Sequence, residues 1–92
     1  MPKYVIERTL PGAGKLSAKD LRGISQKSNE VLDSLAGRAQ WLQTYVTDDK
    51  LFCVYIADNE ATVKEHANGG GFPCTAVHRV RTMIDPTTAE VS

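Results

Sequence analysis

A chain of 92 residues with 41% apolar side chains can bury one modest core and no more. Its 11 basic residues balance 11 acidic ones, which counts against the nucleic-acid and anionic-membrane partners that reward a large positive excess. The first apolar run, Tyr4 to Ile6, is cut short by Glu7 and Arg8, so neither a secretory leader nor a membrane span is predicted.

Lys3 to Thr9 reads as the first strand, Tyr4 and Ile6 alternating with Val5 and Glu7. Pro11-Gly12-Ala13-Gly14 breaks it into a mobile turn. Ser17, three residues before Asp20, is an approximate N-terminal cap for a helix. Along that helix Leu21, Ile24, Ser28, Val31, Leu32 and Leu35 recur at spacings of three and four, and Gly37 supplies its stop.

Gln40 to Thr47 is the second predicted strand, and Asp48-Asp49 turns it into a third over Leu51 to Ala57. The third is apolar on both faces, as a central strand covered above and below would be. Asp58 or Asn59 caps a shorter helix that runs to about Asn68, where Gly69-Gly70-Gly71 ends it. A fourth strand is predicted over Val77 to Ile84, closed by Asp85-Pro86 and a short polar tail.

The order β, α, β-hairpin, α, β predicts an α+β domain of the ferredoxin-like βαββαβ type. It is expected to fill residues 1–92 as a single unit with a core from about 3 to 85. Its four-stranded antiparallel sheet would carry both helices on one face. Parity places Val5, Glu7, Trp41, Gln43, Tyr45, Cys53, Tyr55, Arg79, Arg81 and Met83 on the other face. So apolar a surface calls for a cover, and the expectation is a homodimer through the open sheet face, an assembly of the dimeric α/β-barrel type.

Few motifs specify chemistry. Pro-Gly-Ala-Gly-Lys lacks the spacing and the following Ser or Thr of a phosphate loop, since Leu16 follows Lys15. No nucleophile elbow or H-E-x-x-H pair occurs. Cys53 and Cys74 match no zinc-ribbon or C-x-x-C spacing and read as free thiols, in keeping with a cytoplasmic protein. The available metal-ligand types are His66, His78, Cys53, Cys74, Glu7 and several aspartates; imidazole with nitrogen and oxygen partners suits nickel, zinc or copper, and thiolate favours softer ions. Each has an ordinary alternative: His66 as a helix-edge side chain, Cys53 as a small core residue, and His78 as a solvated neighbour of Arg79.

Several stretches together resemble a family of small bacterial nickel-responsive or nickel-binding proteins, long catalogued as a domain of unknown function. They are YVIERTLPGAG from Tyr4 to Gly14, ISQKSNEVL from Ile24 to Leu32, and the hairpin from Trp41 to Ala57. His66, Gly71-Phe72-Pro73 and VRTMIDPTT from Val80 to Thr88 complete the set. The resemblance implies a ferredoxin-like protomer, usually a homodimer, in a family of which at least one member binds nickel. Within the shared stretches it points first to His66, then Glu7, then Cys53 as ligands, while His78 lies at a more variable entry to the last strand. The resulting expectation is a non-catalytic metal-binding protein that senses, stores or balances nickel. A small-molecule enzyme of the oxygenase or isomerase kind stands second, and a pure interaction domain third.

Overall fold

In the computed structural model, which describes residues 1–90, four strands form a sheet in the order β2-β3-β1-β4. β1 spans Lys3–Thr9, β2 Ala39–Val46, β3 Lys50–Ala57 and β4 Ala76–Arg79; α1 spans Ala18–Ser34 and α2 Glu60–Gly70. All three strand pairings are antiparallel, so the ferredoxin-like βαββαβ topology holds. No helix among the described residues is long and apolar enough to cross a membrane.

The expected barrel-type arrangement is corrected by the sheet itself, which is open. β2 and β4 are its two edges and each is bonded to one neighbour only. Closure would require the edges to meet across two intervening strands, and β4, at 4 residues, is too short to complete such a seam.

Local signals set the helices. Ser17 accepts from the Asp20 amide and Asp20 accepts from the Ser17 amide, so the approximate cap is a reciprocal one. Asn59, not Asp58, is the N-cap of α2 and accepts from the Thr62 amide at 2.9 Å. The glycine-rich turn after β1 is tied down rather than mobile. The Gly12 amide donates to Asp49 Oδ1 and the Gly14 amide to Asp48 O. Gly14 sits so close to the β2–β3 turn that a Cβ there would lie 3.0 Å from the Asp48 Cα.

The register decides which side chains meet. Tyr4, Ile6 and Arg8 of β1 pair with Tyr55, Cys53 and Leu51 of β3, and all six are buried under the helices. Val5 and Glu7 pair with Val54 and Phe52 on the opposite face. Cys53 and Tyr55 therefore lie beneath the helices and not on the open face where parity had placed them. In a strand apolar on both sides, alternation carries no information about which side is which.

β2 holds a second surprise, a bulge that adds one residue between Trp41 and Gln43. It turns Trp41 to the same side as Thr44, so the indole Nε1 donates to Thr44 Oγ1 at 2.9 Å, while Gln43 and Tyr45 stay on the open face. β4 stops at Arg79 instead of Ile84. Val80 donates a last hydrogen bond to Lys3 O, and there β1 runs out. Arg79 consequently pairs with buried Tyr4 and His78 with Val5, the reverse of the parity expectation; Arg81 and Met83 lie beyond the sheet and are exposed.

Ile6 lies at the centre of this arrangement with no exposed surface, packed in one cluster with Tyr4, Cys53, Tyr55 and Val63. Truncation there removes buried methylene contacts and leaves a hole that close-packed neighbours fill poorly. Ile6→Ala is expected to lower the unfolding free energy in urea by about 2–5 kcal/mol.

Candidate functional site

The sheet divides the sequence-predicted metal ligands into two groups. Glu7 and His78 stand on its open face. Cys53 and His66 lie beneath the helices, at 5% and 1% exposure.

On the open face, adjacent strands bring Glu7 Oε1 to 3.7 Å from His78 Nε2. Lys50, at the start of β3, donates to Glu7 Oε2 at 3.0 Å. That bond and the ammonium charge, then the nearby His78, hold the Glu7 carboxyl below its ordinary range. The pair thus offers an ionised carboxylate and an accessible imidazole, two donors suited to a first-row divalent metal, with Lys50 competing for one oxygen. Among the described residues no group of three or more His, Cys, Asp or Glu side chains is placed to hold a metal.

Beneath the helices the arrangement is different. The α2 turn from Gly71 into Phe72-Pro73 carries the Phe72 ring and the Pro73 carbonyl over β1. Arg8, 2% exposed, reaches up from the strand to meet them. Its Nη1 donates to Pro73 O at 2.6 Å, its Nε lies 3.4 Å from Cys53 Sγ, and its guanidinium carbon lies 5.5 Å from the Phe72 ring centre. Gly70 makes room for that ring, because a Cβ at this position would overlap it. His66 fits between Tyr55 and Phe72, with ring centres at 5.1 and 5.5 Å, and its Nε2 lies 3.2 Å from Ser28 Oγ of α1.

α1 is docked unevenly. Ser28 and Val31 of the helix and Leu35 at its C-cap are buried, whereas Leu21 and Ile24 at its other end are only half-buried. Below that end is a cavity of about 390 Å³, lined by Arg8, Leu21, Ile24, Trp41, Leu51 and Tyr55 among others. Burial and neighbouring Cys53 push the Tyr55 hydroxyl up, with Ser28 and Arg8 acting in the opposite direction.

Arg8 and Lys50 are the residues of these clusters that the candidate ligand set lacked. Arg8 had a signal, since it shares the parity of Tyr4 and Ile6 along β1. Lys50 had none, because its contact with Glu7 depends on the β1–β3 register.

Comparison with sequence families matches residues 4–80 to the family described as nickel responsive protein SCO4226-like, and the chain belongs to that family. The description names a response and no reaction. The fold is similar to the crystal structure of SCO4226 from Streptomyces coelicolor A3(2), with a TM-score of 0.75 over 89% of this chain and 99% of that one. At 12% identity that likeness bears on fold alone. Comparison with curated proteins gives no match.

The buried His66 imidazole makes stability depend on pH. Burial first, then the Arg8 charge, lowers its proton affinity from the ordinary 6.5, while Ser28 raises it slightly. As pH falls the unfolded chain therefore takes up this proton before the folded one. The stabilisation is complete above about pH 6.5 and shrinks below it, by at most about 1.4 kcal/mol per pH unit for one proton. Urea unfolding between about pH 8 and 5 should show this decline in the wild type, and His66→Gln should remove that component of the slope.

Proposed function

We propose that this chain binds nickel on its open sheet face, through the Glu7 carboxylate and the His78 imidazole. Membership of a nickel-responsive family motivates the metal, and the 3.7 Å approach of Glu7 to His78 is the observation that carries the site. His66 and Cys53 suit the role less well, one enclosed by Ser28, Tyr55 and Phe72 and the other beside the Arg8 cation.

Two protein donors fall short of the four or more that a tetragonal nickel site takes. A second copy of the chain, docked through the same face, would bring a second Glu7–His78 pair and make up the number. Phe52, Val54, Ile56 and Val5 give that face an apolar centre, and Glu7, His78 and Lys50 its polar part. In this reading the homodimer and the metal site are one device. Nickel occupancy would stabilise the pair and so report metal supply by mass action. The free thiols of Cys53 and Cys74 fit a reducing cytoplasm, and balanced charge gives no reason to invoke nucleic acid.

Isothermal titration of chelator-treated protein with nickel, against zinc and copper, tests the site. Saturable nickel binding should weaken at least tenfold in His78→Ala and in Glu7→Gln and persist in His66→Ala. Loss confined to His66→Ala would move the site beneath the helices. Lys50→Met, which frees Glu7 Oε2, should strengthen nickel binding several-fold. Sedimentation should show a dimer that Val54→Asp converts to monomer.

A further inference from the structure

Arg8 is a buried cation without a counter-ion among the described residues. None of the ion pairs among the described residues involves it, and its Nη2 is sealed from water with no hydrogen-bond partner. A guanidinium cannot escape this by losing its proton, and a buried charge left unpaired is strongly unfavourable. Pro73 O and Cys53 Sγ satisfy two of its groups but carry no formal charge to offset it. The same side chain forms part of the wall of the 390 Å³ cavity under α1. The rest of that wall is apolar where Leu21, Ile24, Trp41 and Leu51 line it.

A cavity of this size, mostly apolar, with the Arg8 cation and a few hydroxyls (Ser25, Ser28, Thr44 and Tyr55) among its lining residues, has the form of a small-molecule site. We infer that the cavity between α1 and the sheet binds a small amphipathic organic carboxylate, its anionic head paired with Arg8 and its apolar body under α1. The carboxylate supplies the missing charge and an acceptor for Nη2, in the planar geometry that guanidinium favours. Nη2 is closed off in this conformation, so pairing through it requires the Phe72 ring, centred 5.5 Å from the guanidinium carbon, to turn aside. The half-buried end of α1 is where the ligand body enters, since Leu21 and Ile24 have no protein surface to complete their burial. This site is separate from the Glu7–His78 pair, on the opposite face of the sheet.

Trp41 is the only tryptophan and lines the cavity, so its fluorescence reports occupancy directly. The probes are decanoate with decanol and decyltrimethylammonium, and 1-naphthoate with 1-naphthalenemethanol, all below their aggregation concentrations. At least one carboxylate should give a saturable change, at least tenfold tighter than its alcohol, with the ammonium ion weaker still. Arg8→Met should bring carboxylate and alcohol to equal affinity. Should that variant not fold, the comparison of charges in the wild type decides alone. Ser25→Phe, which fills the cavity from α1, should abolish the change. Equal binding of alcohol and acid, no saturable response to either carboxylate, or unaltered binding in Ser25→Phe would overturn the inference.

Discussion

The alternation of side chains along β1 is the constraint from which both chemical faces of this protein follow. Glu7 and Arg8 are consecutive, so a pleated strand at the middle of the sheet must send them to opposite sides. Glu7 emerges beside His78 and Lys50 on the open face. Arg8 is driven beneath the helices with Tyr4 and Ile6, where no carboxylate among the described residues meets it. A one-residue slip of β1 would exchange the two, burying an acid and exposing a base. Ile6, fully enclosed by its neighbours, opposes that slip.

Burying Arg8 calls for a second piece of construction, and the segment after α2 provides it. Gly71 adopts a φ of 67°, a left-handed conformation that ends the helix and sends the chain back over the sheet. Gly70 leaves space for Phe72, whose ring lies against both the guanidinium and His66. The next residue brings the carbonyl that Arg8 Nη1 reaches. Glycine, aromatic and proline in immediate succession are thus a cover for the cation. His66 keeps its ring in the same layer by bonding to Ser28, which joins α2 to the buried half of α1. The layer ends there, and the other half of α1 stands over open space.

The sequence carried much of this where its pattern had a phase. β1 is read correctly to the residue because Tyr4 and Ile6 alternate with a charge at Glu7. α1 is read correctly at its capped start and along its single apolar side, but it ends at Ser34, short of the Gly37 stop the sequence suggests. β3 has no phase, being apolar throughout, so Cys53 and Tyr55 were assigned to the wrong face. The bulge that turns Trp41 leaves no mark in residue type, and the end of β4 is set by where its partner begins rather than by its own side chains. Glu7 and His78 were each legible as candidate ligands. Their meeting depends on pairings across 71 residues of chain, which only the folded sheet specifies.

The central claim is that the two faces keep separate chemistries, with metal on the open one. Nickel titrated into isotope-labelled protein, followed by amide and side-chain NMR, addresses it at once. The account predicts line broadening or shift changes greatest at His78, Val5, Glu7 and Val54, with the Trp41 indole and the Ser28 amide changing least. Changes centred on His66, Tyr55 and Ser28 would contradict it and place the metal beneath the helices.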